Sequence, residues 1–337
     1  MFPITLYHFG IEIELVAKPR DAQNPLQRQI HYNRLARSLE VHGLPAKADN
    51  LNGRYSKHPE HYDKWWITRD GSLGDPSSSR IPFEAVSPTF VTSHNWAQDI
   101  NGFWLELSVV FNTPDASNLS GSHIHVSPYP MKAFSLSQLK MIAIGIIFYE
   151  PLVHELLPEC RQHNGYCRKN TLRSRKLKSM GSDDGDELWH VCRHISKKIN
   201  DAKKLRDFMQ KNSGRREDRN VLWNFDNVLS GRSGSIEFRG GPGLRGPTET
   251  HMWISFVLAF IHLCLDKVSV PSLIGVVNNV LTSRIKKIYN WIVEVKKFLG
   301  QSQLERYSMN KFWEVLTKAA KSLNIRGHLP SDWSDMR

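Results

Sequence analysis

Three short stretches of this 337-residue chain carry acids, imidazoles and a guanidinium at a spacing of two. Glu12 and Glu14 lie in Phe9-Gly-Ile-Glu-Ile-Glu-Leu15, His123 and His125 in Gly121-Ser-His-Ile-His-Val-Ser127, and Glu237 and Arg239 in Ser235-Ile-Glu-Phe-Arg239. On a β-strand, side chains two apart share a face and the residue between them points away. Ile13, Ile124 and Phe238 hold the in-between positions. Each stretch is therefore predicted to be a half-buried strand with one polar face. Like charges crowded on a sheet face cost stability unless cations neutralise them. The pattern points to a site for metal ions and phosphate.

Each piece also has an ordinary reading. Carboxylates on a strand bind hard cations such as Mg²⁺ or Mn²⁺, but Glu12 and Glu14 could also form an exposed acidic edge. His123 and His125 could hold zinc. They could instead give one metal ligand and one phosphate donor, or be a satisfied core pair. Arg239 offers a planar fork to phosphate or carboxylate, or only a structural ion pair. Glu84, ahead of Ser87-Pro88, is a further carboxylate expected to be buried. Asp70, in the turn Arg69-Asp-Gly71 after two tryptophans, either meets metal or substrate or caps the turn.

The elements that must position these residues follow from periodicity. Strands are expected at Thr5–Val16, Trp65–Thr68, Pro82–Val86, His123–Val126, Val221–Phe225 and Ser235–Arg239. Helices are expected at Tyr32–Val41, Asn95–Phe111, Leu136–Leu157 with an interruption at Pro151, Leu188–Met209, His251–Leu265, Ile285–Leu299 and Asn310–Leu323. Ser182–Glu187 reads as the acidic end of an Arg- and Lys-rich loop, Pro158–Asp186, expected to close over the reacting centre. The result is an α+β fold around a mostly antiparallel sheet. Residues 1–270 are expected to form the catalytic domain and 271–337 a helical extension packed on it.

Composition narrows the class. With 40% hydrophobic and 23% charged residues, the chain can bury a sizeable core. The start shows no basic, then apolar, leader pattern. Met252–Leu265 is too short to span a bilayer and reads as a buried helix. Four cysteines without CxxC spacing give no disulfide framework or zinc ribbon, which favours the cytoplasm. The net charge of +12 suits nucleic acid, nucleotide phosphates or carboxylate substrates alike. Aromatic residues do not interleave with the basic runs Arg161–Lys178, Lys197–Arg219 and Arg284–Lys297, so nucleic acid ranks as a minor partner.

Six motifs in order carry a resemblance. They are Phe9-Gly-Ile-Glu-Ile-Glu14, Trp66-Ile-Thr-Arg-Asp-Gly-Ser72, Glu84-Ala-Val-Ser-Pro88, Gly121-Ser-His-Ile-His-Val126, Arg161 to Tyr166-Cys167, and Ser235-Ile-Glu-Phe-Arg239. Over roughly residues 5–266 the chain resembles the amidoligase family, carboxylate–amine ligases of the glutamine synthetase and glutamate–cysteine ligase superfamily. Ser120 and Ser122, around the glycine before the HxH, depart from the family pattern and leave the ligand positions intact.

The resemblance implies a curved antiparallel, glutamine synthetase-like sheet with helices on its outer face. ATP and two or three Mg²⁺ ions (or Mn²⁺) would lie on the inner face. Glu12, Glu14, Glu84, His123 and Glu237 would ligate metal. His125, Arg239 and Arg161 would contact the nucleotide. Arg239, Asp70 and Glu84 would serve the chemistry: ATP-dependent, ADP-forming amide synthesis through an acyl phosphate. The substrates would be a small carboxylate and an amine, and neither a membrane nor an oligomeric state is implied. Two rivals stand beside this reading: a zinc hydrolase built on His123 and His125, and a non-catalytic nucleic-acid-binding protein.

Overall fold

A computed structural model describes residues 6–21, 27–49, 62–74, 79–115, 117–180, 187–212, 216–265 and 301–336. The chain divides into two compact units, Met1–Pro130 with Glu237–Ile254, and Met131–Ile236 with Ser255–Arg337. The expected boundary between 270 and 271 lies outside the described residues, as do the helix expected at Ile285–Leu299, the basic run Arg284–Lys297, Thr5 and the acidic Ser182–Asp186.

The first unit is built on β1 (Leu6–Ala17). Its odd-numbered residues Tyr7, Phe9, Ile11, Ile13 and Leu15 are no more than 2% exposed, so one face is committed to a core. Around it lie α1 (Arg28–Val41), β2 (Ala46–Ala48), β3 (Trp65–Thr68), β4 (Ile81–Val86), β5 (Phe90–Val91), α2 (Trp96–Val110) and β6 (Gly121–Tyr129). β1 pairs antiparallel with β4, β5 and β6, β3 pairs antiparallel with β4, and β2 joins β3 in parallel. The open, mostly antiparallel sheet runs in the order β2-β3-β4-β1-β6-β8, with β8 at Ile236–Pro242.

Helices cover the apolar face. Trp65 stacks on Phe103 of α2 with ring centroids 4.2 Å apart, and Phe9 meets Trp96 edge-on at 5.3 Å. Tyr32 of α1 lies against Phe83 and donates its hydroxyl to the Pro82 carbonyl. Burying such aromatic area is the dominant favourable term in holding helices to this face. The other face is left for polar side chains.

Two glycines set how closely β8 approaches β6. A β-carbon at Gly241 would sit 2.8 Å from the Ser122 carbonyl oxygen, and one at Gly243, just past β8, would sit 2.6 Å from the Cβ of Ser120, just ahead of β6. Only glycine allows this approach. On the core side of β8, Phe238 stacks against Trp253 at 5.9 Å. Trp253 belongs to α9 (Pro247–Leu265), whose residues from Trp253 to Ile261 are all buried.

The second unit is mainly helical. It holds α3 (Leu136–Leu156), the short helices α4 (Glu159–Gln162), α5 (Asn170–Arg173) and α6 (Arg175–Met180), then α7 (Glu187–Lys198), α8 (Ala202–Gln210), β7 (Trp223–Asn224) and α10 (Gln301–Ser322). Ser135 and Gln138 form a reciprocal capping box that starts α3. The expected interruption at Pro151 does not occur, and α3 runs through it to Leu156. Its apolar residues Ile146, Val153 and Leu156 are fully buried, and that packing outweighs the backbone hydrogen bond the proline removes. The single helix expected over Leu188–Met209 is two: Asp201 leaves the helical register and caps α8 by accepting from the Lys204 N–H at 2.7 Å. The strand expected over Val221–Phe225 reduces to Trp223–Asn224.

Candidate active site

Strand register determines which side chains meet. In β-sheets, directly paired residues point to the same face. Glu14 pairs with Glu84, which pairs with Thr68. Glu12 pairs with His123 on one side and Val86 on the other. The polar face of the first unit therefore collects Glu12, Glu14, Glu84 and His123 in two adjacent rows. His125 follows His123 along β6, and β8 adds Glu237 and Arg239 beside β6.

Glu12 is the hub. Its Oε2 lies 2.9 Å from His123 Nδ1 and its Oε1 lies 3.1 Å from His125 Nε2, so both histidines turn toward one carboxylate. His123 Nδ1 is also 3.6 Å from Glu237 Oε1, and its Nε2 is 3.7 Å from Glu14 Oε1. Arg239 Nη1 donates to Glu237 Oε1. Asp70, 7% exposed, shares a side-chain hydrogen bond with Glu14 and accepts from the Ser72 N–H at 2.9 Å. Glu14, Glu84, His123 and Glu237 are each 5% exposed or less.

The electrostatics divide the acids. Burial raises the Glu12 carboxyl, but the charge of His125 and the hydrogen bonds from both histidines prevail and hold it well below its usual range. Burial likewise opposes ionisation of Glu237, and the Arg239 charge reverses it, so Glu237 is lowered. Glu14 goes the other way. Burial, then the hydrogen bond and charge of Asp70, push it well above the usual carboxylate range. His123 is lowered by burial and Arg239, while Glu12 outweighs burial to raise His125.

A neutral His123 that donates from Nδ1 to Glu12 keeps a lone pair on Nε2, facing Glu14. Two acceptors face each other there, and a proton on Glu14 or a cation must lie between them. Glu12, His123 and Glu237 also offer ligand atoms that all lie within 4.8 Å of one another. One imidazole with several carboxylates is an oxygen-rich donor set of the kind that suits Mg²⁺ or Mn²⁺. The residues fit a divalent cation.

Of the residues singled out from sequence, Glu12, Glu14, Asp70, Glu84, His123, His125, Glu237 and Arg239 all belong to the first unit. Arg161 belongs to the second, in α4, where it is 2% exposed. Two neighbours escaped the sequence reading. Ser87 Oγ accepts from the Ile11 N–H at 2.9 Å, which locks the backbone beside Glu12. Burial, and then the charges of Glu12 and Glu84, raise the Tyr62 phenol above its usual range. The Ser-Pro pair was a usable signal for Ser87, whereas nothing in the spacing around Tyr62 marks it.

A family model described as "Putative amidoligase enzyme" matches residues 5–261. No curated protein and no solved structure matches the chain.

Proposed function

From the premise that this chain belongs to the amidoligase family, we propose that it is an ATP- and Mg²⁺-dependent ligase joining a carboxylate to an amine. The observation that carries this reading is the gathering of Glu12, Glu14, Glu84, His123, Glu237 and Arg239, from strands far apart in sequence, on one sheet face. A glutamine synthetase-like fold is part of the proposal, since an open antiparallel sheet with one polar face is the scaffold such a site needs.

A carboxylate does not acylate an amine in water because its oxygen is a poor leaving group. Transfer of the ATP γ-phosphoryl group to it gives an acyl phosphate and ADP, and the amine then displaces phosphate. Bound Mg²⁺ would neutralise phosphate charge, held by Glu12, Glu14, Glu84, His123 and Glu237. Arg239, fixed by Glu237, presents a permanent positive charge to the phosphoryl oxygens. His125, which Glu12 raises above the usual imidazole range, is a hydrogen-bond donor to the same oxygens. Asp70, at the site's edge beside Glu14, is the group we assign to take the amine's proton.

Against the zinc hydrolase, the grouped ligand atoms are those of Glu12, His123 and Glu237, not of the two histidines together. The test is incubation with ATP, Mg²⁺ and pooled amino acids and peptides. Mass spectrometry should find a condensation product, with ADP rather than AMP released. Product formation without nucleotide, or retention of one tight zinc, would overturn the reading.

A further inference from the structure

The polar face continues past the acidic cluster. Register runs one straight row across five strands: Lys47 on β2, Trp66 on β3, Val86 on β4, Glu12 on β1 and His123 on β6. Trp65 and Ile67 turn to the helices and are fully buried, whereas Trp66 is half-buried on the polar side. Lys47 Nζ lies 5.8 Å over the Trp66 ring. The Trp66 indole N–H is itself buried and has no hydrogen-bond partner among the described residues. An indole and an ammonium thus border the acids on one side.

Stability gives little reason for this corner. A tryptophan on the solvent side of a sheet, with a buried N–H donor to satisfy, costs more than a threonine or valine would. As a binding surface it has a definite chemistry: a flat apolar wall, a donor and a positive end. Strands lie about 4.8 Å apart, so Trp66 stands two spacings, roughly 10 Å, from Glu12. Lys47 is rooted one strand further out, but its Nζ lies over the Trp66 ring, so a molecule reaching from the acids to that ammonium must span about that length.

Building on the ligase reading, we propose that Lys47 and Trp66 form the specificity subsite for the acid substrate. That substrate carries a planar or aromatic body against Trp66 and a second anionic group for Lys47, with its reacting carboxylate toward Glu84 and Glu14. Small acids such as glutamate cannot reach both ends. The subsite selects an extended diacid, a class that includes aryl-substituted acids and short acidic peptides.

The test is calorimetric titration of the whole chain, in Mg²⁺, with a biphenyl dicarboxylate bearing its acids at the two para ends, against the monoacid of the same skeleton. The wild type should bind the diacid about tenfold more tightly, as one charge-assisted contact allows. Lys47→Gln, at an exposed position, should erase that difference and leave the monoacid unaffected. Trp66→Leu should weaken both ligands, and Trp66→Phe, which keeps a ring and shows that the strand tolerates change, should recover part of the loss. Absence of discrimination in the wild type, or its survival in Lys47→Gln, overturns the subsite. So does loss of affinity for a non-hydrolysable ATP analogue in Trp66→Leu with acid binding intact, which would give the ring to adenine. The titration needs no turnover. Failure of amide synthesis with diacid binding intact would therefore sink the ligase reading and not this one.

Discussion

Two buried acids in this molecule are satisfied in opposite ways. Glu150, in α3 of the second unit, is 1% exposed and accepts from the Asn170 N–H at 2.5 Å, the Thr171 N–H at 3.1 Å and the Thr171 hydroxyl. Burial still raises its carboxyl above the usual range, because those donors only partly offset desolvation. Its partners are fixed dipoles that no ligand need supply. Glu14, in the first unit, is also buried, yet its neighbours Asp70, His123 and Glu12 themselves ionise, and the Arg239 charge only partly opposes the rise that burial, Asp70 and Glu12 cause. An acid closed by backbone donors holds a loop in place. An acid facing other acids and an imidazole is left with charge to be balanced from outside. How a buried carboxylate is neutralised, more than burial itself, separates scaffold from site.

Paired substitutions break or sharpen that contrast most directly. Glu14→Gln should cut turnover by on the order of 10²–10³-fold, while denaturant unfolding in EDTA shows stability unchanged or slightly higher, since a neutral amide replaces a carboxyl that burial and Asp70 hold against ionisation. Glu150→Ala should reverse the pattern. Three donors lose their acceptor at a cost of about 3 kcal/mol, measured by urea unfolding, with turnover at low temperature close to that of the wild type. Equal loss of stability in both variants would erase the distinction.

Metal addition comes next in size. A cation that binds only the folded chain stabilises it by roughly 2.7 kcal/mol at a hundredfold excess over its dissociation constant. Mg²⁺ should therefore raise the melting temperature of the wild type and of Glu150→Ala alike, and should do little for Glu12→Gln. A thermal-shift series in Mg²⁺ and EDTA reads this out.

The pH dependence divides the two kinds of acid inside the site. Glu14 is raised well above 4.5, so above that pH the unfolded chain releases its proton while the folded chain retains it. Stability in EDTA should fall as pH rises from 4.5 toward the folded-state value, by at most ~1.4 kcal/mol per unit for this one group. Glu12 is lowered, so its contribution is present above 4.5 and is lost as pH falls through its folded-state value. Melting curves across pH should show the high-pH decline flattened in Glu14→Gln and retained in Glu12→Gln.

Much of the site was legible because strands have a period of two. The alternation in Gly-Ile-Glu-Ile-Glu14 and Ser-His-Ile-His125 fixes both face and neighbour once the strands pair. Pairing itself was not legible. Nothing local says that Glu12 stands opposite His123 and not His125, or that Glu14 faces Glu84, because register is set by core packing at a distance. The Trp66 face was hidden for the same reason, since two adjacent tryptophans give no alternation to read. Two local rules failed: burial overrode the interruption expected at Pro151, and a side-chain cap at Asp201 split the single helix expected over Leu188–Met209.

The smallest expected effect tests whether that scaffold, and not only its acids, sets the geometry. Ser87 follows the β4 strand that carries Glu84, and its hydroxyl accepts from the Ile11 N–H at 2.9 Å while donating to the Pro88 carbonyl at 2.8 Å. Its own N–H donates to the Ile11 carbonyl at 2.9 Å, so both backbone groups of the residue before Glu12 are tied to one serine. Ser87→Ala removes one of those ties and leaves a buried donor unmet, at a cost of about 1 kcal/mol. If the remaining sheet hydrogen bonds hold β1 in place, turnover falls only a few-fold and Mg²⁺ affinity, measured by calorimetry, stays within a factor of about three. A loss approaching that of Glu14→Gln would mean that the serine, and not the register of β1 between β4 and β6, determines where Glu12 presents its carboxylate.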